Sequence, residues 1–346
     1  MPTQSLSEFE LIRYLRRLKP ISPCPSILTG IGDDAAVIQP RRGHVLLAST
    51  DLLTEQVHFD FAYMTYRQVG YRAAVANLSD MAAMGATPRY ALVAVAFHPK
   101  TAVRDVKSLF TGVWEACTLA DTTVIGGDTS SSCDSVFVCL TILGEAKAKQ
   151  VLTRSGAGQG DVLYVTGTLG DSRAGWEILR HRKVSFPLKT DRDSAYLLKR
   201  HIRPTARLAE SQKLAATGVA SSAIDLSDGL AGDVRHLCEE SSVGALLDVR
   251  RLPVSQSLVS YARTQHRNPL DYALTGGEDY ELLFTVPVKK VSQVDALIHR
   301  GQLCATPIGR MTAPREGLRI ISASGKTGPL KARGYEHRIG LDGGRP

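Results

Sequence analysis

Apolar positions along this chain follow helical spacing in some stretches and form short continuous runs in others. Phe9, Leu11, Ile12, Leu15 and Leu18 share one face of an amphipathic helix predicted over Ser7 to Leu18. The segment Ile21-Ser22-Pro23-Cys24-Pro25-Ser26 ends it. Val45-Leu46-Leu47-Ala48 predicts a buried strand that stops at Asp51. Thr65 to Met84 predicts a long helix, closed by Gly85 and followed by Pro88. A strand over Tyr90 to Phe97 and a helix over Val106 to Leu119 come next. Thr123-Val124-Ile125 enters Gly126-Gly127-Asp128, and Val136 to Leu143 is a further strand. In the second half, a strand is expected over Val162 to Thr166 and a helix after Gly170. Ser221 to Asp225 is a short apolar lead. Leu282 to Val286 reads as a strand and Val291 to His299 as a helix.

The polar, glycine-bearing stretch over residues 145–160 reads as a domain boundary. It divides the chain into 1–147 and 148–346, and the mixture of elements gives an α+β (mixed α/β) fold. Three acidic residues, Asp51, Asp128 and Asp225, are expected just beyond strand ends. That is where ligand crevices open in many sheets.

Composition suits a soluble globular protein of 346 residues, 43% hydrophobic and 22% charged. No apolar run reaches the roughly 18 residues of a membrane span. The start, Met1 to Phe9, lacks a basic segment followed by an apolar one, so no secretory signal is expected and the location is read as cytoplasmic. None of the six cysteines lies in a CxxC pair, so zinc and thioredoxin-type sites are not suggested. The net charge of +8 is scattered, and aromatic residues make up only 6%. That argues against a dedicated nucleic-acid protein.

Charge changes the picture most through its acids, which recur in short motifs beside glycine or hydroxyl residues. Gly32-Asp33-Asp34 reads as a metal ligand or a polar turn. Ser49-Thr50-Asp51 offers hard oxygen ligands suited to Mg²⁺, or alternatively a helix cap. His58 follows. Asp80 lies late in an apolar helix, where it needs a cation or a salt bridge to Arg72 or Arg89. Gly126-Gly127-Asp128-Thr129 lets a phosphate approach the main chain, or is a plain turn. Asp225-Leu226-Ser227-Asp228-Gly229 is a metal motif, a calcium site or a capping box. Gly276-Gly277-Glu278-Asp279-Tyr280-Glu281 is a ring-binding turn or a hairpin. Neither GxxxxGK[ST] nor GxGxxG occurs.

In order and spacing these motifs, together with Leu152-Thr153-Arg154-Ser155-Gly156, resemble those of the thiamine-monophosphate kinase family. That family belongs to the superfamily named for aminoimidazole ribonucleotide synthetase. The resemblance runs from Gly30 to Tyr335. It implies ATP-dependent phosphorylation of thiamine monophosphate to thiamine diphosphate. It also implies a homodimer whose N-terminal sheets pair into a barrel.

By the same resemblance, Asp34, Asp51, Asp80, Asp128, Asp225 and Asp228 bind several Mg²⁺ ions, with Ser49 and Thr50 as further ligands. Asp51, Asp128 and Asp228 are the expected catalytic set. Gly127, Asp128, Arg154 and Ser227 match nucleotide contacts, and His58, Glu278 and Tyr335 match thiamine-phosphate contacts. Gln159 departs from the family's usual proline. The tail beyond Tyr335 is basic and reads as disordered. The acceptor is itself an ionised phosphate, so direct in-line transfer without a strong general base is expected. The alternatives are another ATP-dependent enzyme of the superfamily, and a non-catalytic Ca²⁺- or nucleotide-binding protein.

Overall fold

A computed structural model describes residues 26–29, 35–182, 191–332 and 334–336. The helix expected over Ser7 to Leu18, the pair Asp33-Asp34 and the tail beyond residue 336 lie outside the described residues. In the first half the elements are β1 (Ile27–Thr29), β2 (Val37–Ile38), β3 (Val45–Thr54), α1 (Tyr66–Ala83), β4 (Thr87–Phe97), α2 (Val103–Leu119), β5 (Thr123–Ser131) and β6 (Phe137–Ala146). The second half begins with β7 (Val162–Thr166), α3 (Asp171–Arg182), α4 (Arg192–Ile202), α5 (Leu208–Thr217), β8 (Ser222–Asp225), α6 (Leu230–Ser241) and β9 (Gly244–Asp248). It continues with α7 (Gln256–Thr264), α8 (Pro269–Thr275), β10 (Leu282–Val286), α9 (Val291–His299), β11 (Ala305–Thr312), β12 (Leu318–Ile321) and β13 (Thr327–Pro329).

The first half folds around a four-stranded sheet of order β3-β6-β4-β5. Only the β4–β5 pair is parallel. One face of this sheet carries α1 and α2, and the shared core includes Val93, Leu140, Leu109 and Val113. The second half holds a seven-stranded sheet of order β13-β12-β9-β11-β7-β10-β8. In that sheet only β12 and β9 run parallel.

Helix α1 is the element that organises the site. Thr65 caps it: its hydroxyl accepts from the Gln68 N–H, and the Gln68 side chain accepts from the Thr65 N–H. The helix is buried on nearly every side, because the sheet, α2 and the second domain all pack on it. Glycines bring α1 and α2 together. A Cβ at Gly70 would sit 2.0 Å from the Leu109 carbonyl oxygen, and one at Gly112 would sit 1.9 Å from that of Arg67. On the far side, the Ser211 hydroxyl of α5 donates to the Ala82 carbonyl, and the Leu152 N–H donates to the Met84 carbonyl at 3.0 Å.

Two strands run further than the apolar pattern predicts, which corrects the placement of two acids. β3 continues through Ser49-Thr50-Asp51 to Thr54, and β5 continues through Gly126-Gly127-Asp128 to Ser131. Asp51 and Asp128 therefore lie inside strands, and only Asp225 ends one. The ladders explain the extension: Asp51 is opposite Leu140, and Asp128 is opposite Ala94. An edge strand tolerates polar residues because one side of its backbone faces water. At Gly127 a Cβ would lie 2.0 Å from the Val93 carbonyl oxygen. The glycine is required first by the close approach of β5 to β4.

Candidate active site

Strand alternation divides the Ser49-Thr50-Asp51 motif. Ser49 and Asp51 share a face with Leu47 and Leu53, which pack into the core under α1. Thr50 projects from the opposite face. Its hydroxyl donates to the Leu140 carbonyl at 3.0 Å and lies 3.0 Å from the Thr141 hydroxyl. Within one copy of the chain the Thr50 side chain therefore departs from the expected ligand set, because a two-residue period cannot turn three consecutive side chains to one side.

The last turns of α1 send polar groups in three directions. The Asn77 amide donates to the Leu140 carbonyl at 3.1 Å, tying the helix to the sheet. The Ser79 hydroxyl donates to Asp225 at 2.7 Å, across to the second domain. Asp80 accepts from the Ser49 hydroxyl on β3. Among the described residues no arginine pairs directly with Asp80, since Arg72 pairs with Glu278 and Arg89 with Glu145. The salt bridges anticipated for Asp80 are thus made elsewhere.

Asp51, Asp80 and Asp225 form an acidic centre that Arg154 offsets only in part. Burial, then the charge of Asp80, pushes the Asp51 carboxyl up to about 6. Burial also raises Asp80, with Ser49 and Arg154 opposing it. Asp225 is pushed up to about 7, by burial first and then by Asp80 and Asp51. The exposed side chain of Arg154 supplies the opposing positive charge at both Asp80 and Asp225. Among the described residues no three acidic, histidine or cysteine side chains converge closely enough to make a preformed metal cage. The acids are near enough to repel one another. Their hard oxygens, flanked by Ser49 and Ser79, fit Mg²⁺, which would relieve that repulsion.

The Asp225-Leu226-Ser227-Asp228-Gly229 loop is held by the segment carrying Glu278. The Glu278 N–H donates to the Ser227 carbonyl at 2.8 Å, and the Tyr280 N–H to the Leu226 carbonyl at 2.9 Å. Asp228 is half-buried, and its carbonyl accepts from the Tyr335 N–H at 2.9 Å, which places Tyr335 beside the loop. The sequence reading missed Asp233, in the first turn of α6. Its carboxylate accepts from the Gly229 N–H at 3.0 Å. Burial, then Asp225 and Asp228, raises its carboxyl well above the usual range. An acid one helical turn past Asp228-Gly229 was the available signal.

The three acids near Gly277 have separate fates. Asp279 turns inward and accepts from the Gly170 and Ser172 N–H groups at 2.6 and 3.1 Å, at the start of α3. Glu281 is buried under arginines. Glu278 alone keeps an open edge, its side chain 32% exposed. His58 follows β3 and is half-buried, its Nδ1 accepting from the Thr54 N–H at 3.0 Å.

Asp128 stands apart. It is exposed on edge strand β5, in register with Ala94, Cys139 and Leu52 on the face opposite Asp51. Three strand spacings separate β5 from β3, roughly 14 Å. One copy of the chain does not bring Asp128 to Asp51.

Both halves match models of AIR synthase related proteins: the N-terminal domain over residues 32–146 and the C-terminal domain over residues 158–321. Thiamine-monophosphate kinase from Escherichia coli strain K12 is 38% identical over 95% of this chain and 98% of its own length. The Bacillus subtilis enzyme of that name is 32% identical over 90% of this chain and 94% of its own. A crystal structure of thiamine-monophosphate kinase from Stenotrophomonas maltophilia superposes with a TM-score of 0.79 at 33% identity, covering 91% of this chain and 96% of that one. The structure described as AaThiL complexed with AMPPCP and TMP gives 0.76 at 33% identity, covering 98% and 100%. This chain belongs to the AIR synthase related family and, within it, to the thiamine-monophosphate kinases.

Proposed function

We propose that this chain transfers the γ-phosphate of ATP to thiamine monophosphate, giving thiamine diphosphate and ADP. The observation that carries the reading is the acidic centre of Asp51, Asp80 and Asp225, assembled from β3, α1 and β8 in a chain related to thiamine-monophosphate kinases. Bound Mg²⁺ would neutralise the phosphates and offset the repulsion between two anions. Asp51, Asp80, Asp225 and Asp228, with the Ser49 hydroxyl, are the residues that would hold it. Asp34 is assigned by resemblance alone.

Arg154 contributes positive charge toward the triphosphate, and Gly127 and Ser227 offer main chain to the nucleotide. The acceptor phosphate oxygen bonds to the γ-phosphorus as the bridge to the β-phosphate breaks, and ADP leaves with that electron pair. His58 is a further contact to thiamine monophosphate. Glu278 hydrogen-bonds the thiamine ring and Tyr335 stacks on it.

The working unit is a homodimer. The sheet face opposite α1 exposes Leu46 and Leu52, at 49% and 53%. Its two edges, β3 and β5, pair with no further strand among the described residues. Two copies joined edge to edge close an eight-stranded barrel and remove those edges. The joint sets Asp128 of one copy beside β3 of the other, which accounts for its distance from Asp51.

One assay tests the function: purified protein with ATP, Mg²⁺ and thiamine monophosphate, followed for thiamine diphosphate. ADP without thiamine diphosphate favours another enzyme of the superfamily, and tight binding without turnover favours a non-catalytic protein. Trapping a kinetically competent phosphoenzyme would rule out direct transfer. Mixing inactive Asp51→Ala and Asp128→Ala proteins restores part of the activity if the site is shared, and restores none if each copy is complete.

A further inference from the structure

Arg72 has no place in the reaction as described, yet it is among the most deeply buried side chains of the molecule, at 1% exposure. It leaves α1 and crosses to the second domain. Its Nη2 donates to the Glu278 carboxylate. Its Nη1 donates to the His201 carbonyl at 2.8 Å and lies 2.8 Å from His201 Nε2. Its Nε has no hydrogen-bond partner among the described residues. An arginine so placed costs desolvation energy and leaves a donor unmade. A salt bridge serving stability alone does not require this, because well-packed apolar residues do as well or better.

What the arrangement does is fix one carboxylate. Glu278 sits at φ +64°, a left-handed conformation that glutamate rarely adopts. Its N–H is bound to the Ser227 carbonyl. The main chain therefore sets where the side chain starts, and Arg72 sets where it ends. His201 lies on the inner side, with Nδ1 3.7 Å from the second carboxylate oxygen and 3.1 Å from the Ser172 hydroxyl. Burial and the charge of Arg72 keep this imidazole neutral, so it does not neutralise Glu278. One edge of the carboxylate is left open.

We infer that Arg72 is the positioning residue for thiamine recognition: it anchors Glu278 from the domain interface so that the free carboxylate edge meets the ring system of the substrate. The inference rests on the Glu278 contact proposed above. Among the described residues Arg72 pairs with Glu278 and His201 and with none of Asp51, Asp80 and Asp225, so its influence is expected to fall on affinity for one substrate. A fixed carboxylate binds a ring N–H or a cationic ring without first being ordered, which is where pre-organisation yields affinity. Lysine in its place would keep the charge but lose the fork that reaches Glu278 and His201 together.

The test is a double-mutant cycle of Arg72→Lys and Glu278→Gln, read in steady-state kinetics with each substrate varied. Arg72→Lys is expected to raise KM for thiamine monophosphate about tenfold, with kcat and KM for ATP within about twofold. In the Glu278→Gln background it should add nothing further, the mark of one residue acting through the other. Additive effects, or equal rises in both KM values, overturn the positioning role while leaving the Glu278 contact standing. An unchanged KM in Glu278→Gln alone overturns the contact and the inference together.

A second readout needs no variant. Saturating thiamine monophosphate should shift the NMR signal of the Arg72 Nε–H, and the ATP analogue AMPPCP should not. No shift with thiamine monophosphate overturns the inference.

Discussion

Two buried carboxylates lie at the ends of neighbouring strands and are treated in opposite ways. Asp225 closes β8, and Glu281 directly precedes β10, its antiparallel partner. Glu281 accepts four close hydrogen bonds: from the Thr166 hydroxyl at 2.6 Å, from Arg207 Nε and Nη2 at 2.6 Å each, and from Arg200 Nη2 at 2.8 Å. Asp225 accepts from the Ser79 hydroxyl and faces Asp80 and Asp51, with the exposed Arg154 opposing them weakly and making no ion pair with it among the described residues. Both are buried, so burial alone does not mark a site. The mark is a carboxylate crowded by other acids and left without a direct ion pair among the described residues. Glu281 is finished, whereas Asp225 is finished only when a cation arrives.

The largest expected break in that contrast is in turnover. Asp225→Asn and Asp51→Ala should each lower kcat by about three orders of magnitude, the scale of a lost electrostatic stabiliser. The melting temperature should hold or rise, because one repelling charge is gone. Steady-state rates and thermal melts decide it. Near-normal kinetics in either variant would remove the acidic centre from the chemistry.

Glu281→Gln should do the reverse. It leaves Arg200 and Arg207 against a neutral group, with side chains only 13% and 21% exposed. Removing one partner of a buried ion pair costs about 3–5 kcal/mol. Chemical denaturation should show that loss, while kcat per folded molecule stays within about threefold. A variant that lost turnover but kept its stability would reverse the assignment of the two carboxylates.

Metal binding sharpens the same comparison. Adding Mg²⁺ at roughly a hundred times its dissociation constant should stabilise the wild-type chain by about 2.7 kcal/mol. Asp225→Asn should lose that gain and Glu281→Gln should keep it, as thermal shift against Mg²⁺ concentration will show. Equal gains in both variants would place the metal elsewhere.

Much of the fold was legible because its signals are local. Residues Leu282–Val286 and Val291–His299 form the strand and helix that their apolar patterns predict. The run Thr65 to Met84 holds α1 together with the hydroxyl that caps it. The site was legible as chemistry more than as geometry. The acids at 51, 80 and 225 do gather, and the hydroxyls of Ser49 and Ser79 hold two of them. What sequence does not carry is which face a residue takes once a strand outruns its apolar stretch. That is why Thr50 and Asp128 landed away from Asp51. Nor does a sequence show that Gly127 answers a neighbouring backbone, or that Arg72 reaches a carboxylate 206 positions away. Those facts belong to the ladders and to the domain interface.

The smallest expected effect concerns His201, a third kind of buried group, held neutral beside Arg72. Arg72, Arg173, Ser172 and Glu278 face it. Burial, then the two arginines, lowers its folded pKa well below the unfolded 6.5. Below pH 6.5 the unfolded chain therefore takes up a proton that the folded chain refuses. The His201 contribution is complete above pH 6.5 and is lost as pH falls, at up to about 1.4 kcal/mol per pH unit. The raised acids tilt the other way. The folded chain protonates Asp51 and Asp225 near pH 6 and 7, while the unfolded carboxylates wait until about 4, so acidification adds stability there. Asp80, Asp233 and Asp279 are raised as well, so the acids outweigh the imidazole and wild-type stability should rise as pH falls from 7.5 to 5.5. His201→Gln removes the opposing slope, and its stability should rise relative to wild type as pH falls. Urea unfolding of the two proteins across that range measures the difference, and parallel curves would mean that His201 takes up a proton in the folded chain as readily as in the unfolded one.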